Sequence, residues 1–536
     1  MTSQTKVHSC LFEAASIQGY ILATGRLKEI VGASGRVDAL CGQVLDAVLA
    51  GLGEELSSRV HFARRAGGAF YALSEDADAI EALFALWPLV VNEYAPGLEF
   101  LLAQGEGATP GLAIGNARES LQGSRMRFSG DGFFPGPFVE RARNTGRAAV
   151  AIDDKERIDA VSLSKREFQE GNHDFVRRFA PASEPVNWPL DLSGSGKRAF
   201  PYLSREVREL ALVHADGNSL GAIVQAVQEA LADLPLAEYA SRMRQFSDAI
   251  GQATENAATE AVAHAVESHR DSGTYPARPI VLGGDDLTIL VRADLALAFA
   301  ESFLGCFERH TAEQLGRVAD HLGVRSMPRG LTACAGIVTI GAHQPISHAQ
   351  VLAEDLCGEV KKRAKALAQD GKVPSALGFY RTTANVPASY DQVMAEEWVV
   401  HMDGEEFHQG LVAYGVAADG PLPALSTLKD LAVCLMHEES LRGALRQVVG
   451  LVGRDPVRAR SRYRRLLAVS HQGMASVNRL VQALVPGEPH ADLPFRKVDH
   501  DKRAPWCTPL GDALALCSLH AVAGTRDAVE HHEETA

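Results

Sequence analysis

A glycine- and aspartate-rich turn, Gly283-Gly284-Asp285-Asp286, separates two apolar stretches in the segment PIVLGGDDLTILV. Two apolar runs joined by so short a glycine-containing turn predict a β-hairpin with the aspartates at its tip. Upstream, the segment VRELALVHADGNSLG predicts a buried strand that ends near Asp216 and passes through a glycine-containing loop into a helix. The turn alone is weak evidence, because many hairpin tips are rich in glycine and aspartate. Together the two segments predict one sheet edge that carries three carboxylates.

The predicted order of strands and helices around this hairpin is βαββαβ, and the same order occurs earlier in the chain. The earlier copy comprises the strand SCLFEAAS, a helical stretch near 17–52, the hairpin VHFARRAGGAFYAL, a helix near 77–87 and the strand LEFLLAQGE. The pair Gly67-Gly68 at its hairpin tip accepts the positive φ angles of a tight turn. We therefore predict an α+β protein with two ferredoxin-like βαββαβ domains of the kind called palm domains.

The length of 536 residues exceeds one ordinary domain and favours about three units. We assign 1–105 to a first, degenerate palm domain, 106–203 to an irregular connector, 204–385 to the second palm domain and 386–536 to a mainly helical C-terminal domain. The C-terminal domain has predicted helices near 426–436, 438–452, 455–469, 473–484 and 509–523. So long an irregular connector is unusual unless it has functional contacts or partial local order.

Composition limits the classes of function. No apolar run reaches the roughly 20 residues that a membrane span requires, and the chain starts without the features of a secretory signal, so we expect a soluble, cytoplasmic protein. A net charge of −14 argues against nucleic-acid binding over the whole surface. The eight cysteines form no Cys-x-x-Cys pair, so we expect core residues and no zinc ribbon.

The three aspartates have the chemistry of a magnesium or manganese site. Mg²⁺ prefers oxygen ligands, and one or two carboxylates are completed by water and substrate phosphates. Asp216, Asp285 and Asp286 belong to neighbouring central strands of a βαββαβ sheet, so we predict that they converge on one metal-binding, catalytic site. Nucleotidyl transfer needs such metals to bridge phosphates, stabilise the leaving pyrophosphate and activate the attacking hydroxyl.

The loop after Asp216 is the predicted cradle for a triphosphate. Its backbone N–H groups and the positive end of the following helix can face phosphate oxygens. Lys361, on the last helix of the second palm, can reach the same phosphates as a point charge; a solvated helix face is the alternative for it and for Lys362 and Lys365. The predicted nucleotide-binding residues are Gly217, Asn218, Ser219, Gly221, Gly283, Gly284 and Lys361.

The first palm domain lacks the acidic turn. There, Gly67-Gly68-Ala69-Phe70 stands where the second domain has Gly283-Gly284-Asp285-Asp286, and neither Ala69 nor Phe70 can hold magnesium. We predict that the first palm domain is catalytically silent and packs against the second.

These segments resemble the large, polymerase-like subunit of type III CRISPR effector complexes, a relative of GGDEF and class III cyclase palm domains. The resemblance covers about residues 9–385 and rests on IQGYILATGRLKEIVGAS in the first palm, HADGNSLG, VLGGDDLTILV and LTACAGIVTI in the second, and AEDLCGEVKK on the following helix. It implies that the three aspartates bind metal and that Lys361 faces the triphosphate. It also implies that ATP is converted to cyclic or linear oligoadenylate messengers in prokaryotic antiviral defence after target RNA is sensed.

The sequence departs from that family in three places. The first palm is predicted at the very start, so we expect no His-Asp nuclease domain and no DNA cleavage, and His173-Asp174 lies in the connector without a helical bundle. The cysteine zinc motif that many members carry is missing from the sequence. Asn218 stands where many members have a second aspartate, although an amide oxygen can still bind a metal or a hydroxyl.

Other interpretations of these residues stay open. One is a non-catalytic scaffold whose paired palms bind nucleotide or RNA and assemble partners, and another is a stand-alone signalling enzyme outside any complex. GTP cyclisation, as in diguanylate synthases, fits the metal site but not the duplicated palm. Arg458, Arg462 and Arg465 lie at helical spacing and predict a basic face for guide or target RNA or for other effector subunits, with a solvated helix face as the alternative.

Overall fold

The structure is a computed structural model of the chain. It describes residues 6–125, 136, 138–153, 155–168, 175–180, 187–194, 198–204, 206–322, 330–369, 371–382, 386–497 and 504–519. His173-Asp174 and residues 520–523 at the end of the last predicted helix lie outside these described residues. Among the helices that are described, we find none with the length and apolar character needed to cross a bilayer.

The first palm domain is built on a four-stranded antiparallel sheet. Its strands lie in the order β2-β3-β1-β4, the ferredoxin-like arrangement that the βαββαβ pattern predicts. The strands are β1 (Val7–Ala15), β2 (His61–Ala66), β3 (Ala69–Ser74) and β4 (Glu99–Gly107). The helices are α1 (Ile17–Leu22), α2 (Leu27–Ala39), α3 (Leu45–Leu52), α4 (Glu54–Ser57) and α5 (Ala77–Tyr94), with a π-helical turn at Leu40–Val44.

Aromatic side chains fill the core between this sheet and α5. Phe12 of β1, Phe70 of β3 and Trp87 of α5 are fully buried, and their ring centroids lie 5.1–5.4 Å apart. Because Phe12 lies directly opposite Phe70 in the pairing of β1 with β3, their side chains point to the same face of the sheet. Phe70 is therefore a core residue of the first domain.

The chain after β4 is more ordered than the predicted irregular connector. Helix α6 (Pro110–Arg125) packs on the first sheet, where Ser9 Oγ donates a hydrogen bond to the Ala113 carbonyl at 2.8 Å. Asn116 Nδ2 donates another to the Glu106 carbonyl at 2.8 Å. The expectation of irregular chain from residue 106 onward does not hold here, because burial of one helix face on the sheet outweighs the low helix propensity of its glycines.

A hairpin and a further helix also lie within the predicted connector. They are β5 (Ala149–Asp153), β6 (Glu156–Asp159) and α7 (Ala160–Glu167), followed by a short 3₁₀ helix at Phe175–Phe179. Arg166 on α7 anchors this unit to the first palm: its Nε donates to Glu29 Oε1 at 2.7 Å, and its Nη2 donates to Glu156 Oε2 at 2.8 Å. The connector therefore has the partial local order that its length requires.

The second palm domain repeats the topology of the first. Its strands are β7 (Glu209–Gly217), β8 (Ala277–Gly283), β9 (Asp286–Arg292), β10 (Ala333–Gly341) and β11 (Ala376–Arg381). The order β11-β10-β7-β9-β8 contains the ferredoxin-like arrangement, and β11 adds to it in parallel with β10. The helices are α8 (Leu220–Ala230), α9 (Leu236–Ala265), α10 (Ala296–Leu322) and α11 (Ile346–Ala366). The predicted α+β fold with two palm domains is confirmed.

The C-terminal region combines the predicted helices with a small sheet. The helices are α12 (Tyr390–Val393), α13 (Leu425–His437), α14 (Glu439–Leu451), α15 (Pro456–Val469) and α16 (His471–Leu484), and residues 510–519 are also helical. The strands are β12 (Val399–Met402), β13 (Glu405–His408), β14 (Tyr414–Gly415), β15 (Glu488–Pro489), β16 (Arg496–Lys497) and β17 (Trp506–Cys507). Five of them form a sheet in the order β12-β13-β17-β16-β15, whereas β14 joins the second palm sheet beside β11.

The hairpin turns of the two palm domains touch each other. Gly67-Gly68 joins β2 to β3 with φ angles of 61° and 74°, as in a type I′ turn, and Gly284-Asp285 joins β8 to β9 with a φ of 62° at Gly284. A Cβ on Gly67 would lie 3.6 Å from Gly283 Cα, and a Cβ on Gly283 would lie 3.3 Å from Gly67 Cα. The first palm domain thus packs turn against turn on the second.

Candidate functional site

The three aspartates that were predicted to bind metal lie together at one end of the second sheet. Asp216 is near the end of β7, Asp286 begins β9, and Asp285 lies in the turn before it. In the antiparallel pair of β7 and β9, Ala215 is opposite Leu287, so the next position brings Asp216 opposite Asp286. One carboxylate oxygen from each aspartate lies within 4.8 Å of the other two.

Contacts from two sides fix the turn that carries Asp285. Thr254 Oγ1 on α9 donates a hydrogen bond to the Gly284 carbonyl at 2.6 Å. On the other side Gly217 leaves no spare room, because a Cβ there would lie 2.5 Å from Asp285 Oδ2 and 2.8 Å from Asp285 Cβ. Glycine at position 217 is therefore what allows Asp285 to approach the end of β7.

Burial and mutual repulsion govern the charge of the cluster. Burial, and then the charge of Asp216, raise the pKa of Asp285 to about 6. Burial also raises the pKa of Asp286 well above its usual value, with further contributions from the charges of Asp285 and Asp216. Crowded carboxylates of this kind fit a divalent cation, because the cation would remove their repulsion. The donor set is all oxygen, which suits Mg²⁺ or Mn²⁺.

Lys361 on α11 brings a positive charge to the cluster. Its ammonium group donates a hydrogen bond to Asp216, and its side chain is only 18% exposed. His214 lies two residues before Asp216 and is buried, with Nδ1 3.1 Å from Thr288 Oγ1, and burial lowers its pKa to about 4. His214 is therefore uncharged near neutral pH and adds no charge to the site.

The loop between β7 and α8 faces a cavity of 920 Å³. The residues predicted to bind nucleotide that line it are Gly217, Ser219, Gly221, Gly284 and Lys361, and Asp216 and Asp285 line it too. Ser219 has a φ of 60° and precedes α8, whose first N–H groups have no partner within the helix. The start of α8 is therefore positioned to donate to an anion in the cavity.

Asn218 and Gly283 do not line this cavity. The Asn218 side chain is buried, and its Nδ2 donates to Thr332 Oγ1 at 3.0 Å, while its Oδ1 has no hydrogen-bond partner among the described residues. Gly283 instead contacts Gly67 of the first palm. The geometry therefore does not show the predicted nucleotide contacts of Asn218 and Gly283. The Asn218 side chain is hydrogen-bonded to Thr332, and Gly283 lies against the hairpin turn of the first palm.

Two cationic residues, one on the first palm sheet and one on the helix that packs on that sheet, line the cavity and were not identified from the sequence. Arg64 of β2 and Arg118 of α6 lie over the Tyr71 ring, with 5.8 Å and 5.4 Å between guanidinium carbon and ring centroid. Arg118 Nη1 also donates to Gln228 Oε1 of α8 at 3.0 Å. Within the described residues neither guanidinium has an ion-pair partner. Arg64 lies three residues before Gly67-Gly68, so its place near the hairpin tip could have been noticed in the sequence. Arg118 lies in the segment predicted to be irregular, where no helix was expected.

An apolar wall completes the cavity. Met243, Phe246 and Ile250 lie on one face of α9 and line the cavity. All three are also buried, so they are part of the core as well as of the cavity wall. The cavity therefore has one face suited to phosphates and another suited to a base or ribose ring.

The strand pairing shifts the predicted correspondence between the two hairpins by one residue. In the first palm Glu13 of β1 pairs with Ala69, and in the second palm Asp216 stands opposite Asp286. Ala69 therefore corresponds to Asp286, and Gly68 corresponds to Asp285. The Tyr71 hydroxyl donates a hydrogen bond to Glu13 Oε1 at 2.7 Å. The first palm has therefore kept one carboxylate at the strand position and none in its turn.

Comparisons with known proteins agree with this architecture. Residues 209–369 match the family model described as Cas10/Cmr2, second palm domain. No curated protein matches the chain. Among solved structures, Csm1 from T. onnurineus has a TM-score of 0.52 and 14% identity over 97% of this chain and 70% of that chain. A Csm1-Csm4 cassette in complex with AMPPNP has a TM-score of 0.51 and 16% identity over 96% and 70%. A further cassette in complex with pppApA has a TM-score of 0.51 and 14% identity over 97% and 70%.

The duplicated βαββαβ fold and the aspartate cluster define a protein of the palm-domain class. The matched segment begins with β7 and extends beyond α11, so it contains the three aspartates and Lys361. Residues 209–369 are similar to the second palm domain of the Cas10/Cmr2 family, and the predicted resemblance to the large subunit of type III CRISPR complexes is confirmed.

Proposed function

We propose that this protein is a metal-dependent nucleotidyltransferase that joins ATP molecules into a linear or cyclic oligoadenylate messenger for antiviral defence. The observation that carries the proposal is the cavity in which Asp216 and Asp285, two of the three crowded carboxylates, face a glycine-containing loop, Lys361, Arg64 and Arg118. Its volume of 920 Å³ lies in the upper part of the range of small-molecule sites, about 300–1,000 Å³. Structures similar in fold were solved with AMPPNP and with pppApA, which favours adenine nucleotides.

The metal would be held by Asp216, Asp285 and Asp286. When bound, it would lower the pKa of the attacking hydroxyl and offset the charge of the phosphates. The remaining work belongs to side chains and backbone of the cavity. The start of α8 donates N–H groups to phosphate oxygens, Lys361 and the two arginines balance triphosphate charge, and the α9 wall excludes water from one face.

The direct test is turnover of labelled ATP and of GTP by the full-length chain, with excess Mg²⁺ or Mn²⁺, with and without RNA and partner subunits. We expect ATP to give oligoadenylate products and GTP to give little or none. If neither triphosphate is converted under any of these conditions, but nucleotide or RNA still binds, the scaffold interpretation replaces the enzyme.

Lys361 offers a sharper test of the triphosphate site. Replacing Lys361 by Met should raise the KM for ATP about tenfold to a hundredfold, because a charge-assisted hydrogen bond contributes about 1.5–3 kcal/mol. The matched control is Lys362→Met on the same helix, since Lys362 is 80% exposed and its one ion pair among the described residues is with Glu359 at 3.4 Å. A Lys361→Met enzyme with lower thermal stability but an unchanged KM would mean that Lys361 serves only to neutralise Asp216.

The arginines of α15 are proposed as an RNA contact. Arg458 and Arg465 are exposed, and Arg462 donates to Gln447, a neutral partner. Alanine at all three positions should weaken binding of single-stranded RNA and lower its salt slope by about one per lost phosphate contact. The control is Arg460→Ala/Arg464→Ala on the same helix, because these two pair with Asp403 and Asp492. Unchanged RNA affinity and unchanged assembly with partner subunits at low salt would leave only a solvated face.

A further inference from the structure

A second group of metal-ligand side chains lies between helices α9 and α10. Glu260 and His264 are one helical turn apart on α9, and Cys306 and His310 are one turn apart on α10. One donor atom each from Glu260, His264 and Cys306 lies within 4.8 Å of the others. His310 Nε2 lies 2.9 Å from Glu260 Oε2. Each helix thus presents an i, i+4 pair of donors to the other.

We propose that these four side chains form a Zn²⁺ site that joins α9 to α10. A thiolate, two imidazoles and a carboxylate are the ligand types that zinc takes in tetrahedral protein sites. This set differs from the all-oxygen set of the palm aspartates, which suits Mg²⁺ or Mn²⁺. The thiolate and the carboxylate together balance the charge of the ion, so its burial leaves no net charge between the helices.

Three of the four donors already lie close to the spacing of a zinc site. Zinc–donor bonds of about 2.0–2.3 Å place the donors of a tetrahedral site roughly 3.3–3.8 Å from one another. Donor atoms of Glu260, His264 and Cys306 lie within 4.8 Å of one another, so side-chain movements of about 1 Å bring these three into range. His310 lies outside that group of three and contacts it through Glu260, at 2.9 Å, so its ring must turn to become the fourth ligand.

The outer ring nitrogen of His264 has a hydrogen-bond partner. His264 Nδ1 lies 3.2 Å from Ser302 Oγ, whereas His310 Nδ1 lies 3.5 Å from Glu313 Oε2 and makes no hydrogen bond within the described residues. Metal-binding histidines are commonly oriented, as His264 is here, by a partner on the second nitrogen. The Nε2 atoms are then left for the metal, 3.9 Å and 2.9 Å from oxygens of Glu260.

The two ligands on α10 are buried, whereas His264 on α9 is exposed to solvent. Cys306 is 6% exposed and the His310 side chain is 13% exposed, whereas the His264 side chain is 59% exposed. An ion can therefore enter from solvent on the His264 side and be held on the buried side by Cys306 and His310.

Arg309 is the competitor for this position. Its Nη2 donates to Glu260 Oε1 at 2.6 Å and lies 3.5 Å from Cys306 Sγ. The side chain is 47% exposed, and its Nη1 is also 3.9 Å from Glu313 Oε1, so Glu313 offers it a second anionic partner. Because the guanidinium neutralises the same two donors that the metal needs, its removal should strengthen metal binding.

The test is Co²⁺ titration of the full-length chain in an Asp285→Asn/Asp286→Asn background, which removes two palm ligands. We expect one equivalent of Co²⁺ to give the near-ultraviolet absorption of a sulfur–cobalt bond, and Zn²⁺ to displace it. Cys306→Ser should abolish that absorption, and His264→Ala should weaken binding at least about tenfold. The matched control is Cys434→Ser on α13, which should leave the absorption unchanged.

Arg309→Met should change metal affinity in the opposite direction from the ligand variants, and its effect does not depend on disturbing the fold. It should tighten Co²⁺ and Zn²⁺ binding severalfold, while circular dichroism confirms that all variants keep their helices. The proposal is overturned if the parent chain shows no sulfur–cobalt absorption, if that absorption survives Cys306→Ser, or if Arg309→Met leaves metal affinity unchanged. None of these readouts depends on ATP turnover, so the proposed nucleotidyltransferase can fail while the zinc site stands.

Discussion

We expect the variant Asp285→Asn/Asp286→Asn to lose at least about a thousandfold in nucleotide turnover, which corresponds to roughly 4 kcal/mol of transition-state stabilisation. The two amides keep the shape of the turn but remove two of the three anionic oxygen donors that lie within 4.8 Å of one another. Metal binding should weaken accordingly, because Mg²⁺ depends on carboxylate ligands. Turnover of labelled ATP with excess Mg²⁺ or Mn²⁺ measures the loss.

The same variant should be more stable than the parent chain when metal is removed. The pKa of Asp285 is raised to about 6, so its contribution to stability is fully present below its unfolded pKa, near 4, and is lost as pH rises through about 6. Above pH 6 the parent therefore holds a buried, charged carboxylate that is also repelled by Asp216, and the variant should gain about 1–3 kcal/mol. Thermal melts in chelator at pH 7.5 and at pH 4 should show the gain at the first pH and little at the second.

Adding Mg²⁺ provides the control for these melts. It should raise the melting temperature of the parent chain and leave the double variant nearly unchanged, because only the parent keeps the full ligand set. A double variant with parental turnover would remove the palm-site assignment altogether.

Gly217→Ala should reduce turnover about a hundredfold while all three aspartates remain in the chain. The added Cβ would lie 2.5 Å from Asp285 Oδ2 and 2.8 Å from Asp285 Cβ, so that Asp285 and its turn must move. A displacement of about 1 Å at a reacting centre commonly costs that much rate. The measurement is kcat for ATP, with circular dichroism and gel filtration to show that the fold is intact.

The neighbouring glycine is the matched control. Gly221 lines the same cavity, but a Cβ there would meet nothing within 4 Å. Gly221→Ala should therefore keep turnover within about twofold of the parent value. If both alanine variants behave alike, the close approach of Asp285 to Gly217 is not needed for activity.

Local patterns in the sequence predicted the elements that the chain repeats. The alternation of apolar residues and the short glycine turns indicated both βαββαβ units, and the register of β7 and β9 follows from them. The convergence of Asp216 with the acidic turn could therefore be foreseen although these residues are far apart in the chain. The two-residue strands of the C-terminal sheet carry too little periodic signal to be recognised.

Features that depend on how domains pack could not be predicted in this way. Arg64 and Arg118 reach the cavity because the first palm and the helix packed on it lie against the second palm. The position of Arg64 beside the glycine turn places it near the hairpin tip but does not indicate what that tip contacts. The burial of the Asn218 side chain is decided by Thr332, which is distant in sequence and supplies the hydrogen-bond partner. The pairing of Glu13 with Ala69 likewise required the actual strand register.

The contact between the two glycine turns limits how far the duplicated domains can diverge. A copy that binds no metal is normally free to accept any substitution compatible with its fold. Here a side chain on Gly67 would be strained by its positive φ, and its Cβ would lie in contact with Gly283, 3.6 Å from the Gly283 Cα, at the base of the turn that carries Asp285 and Asp286. Under the proposed function, a substitution at Gly67 would therefore be felt at the acidic turn of the second palm, although Gly67 itself takes no part in the reaction.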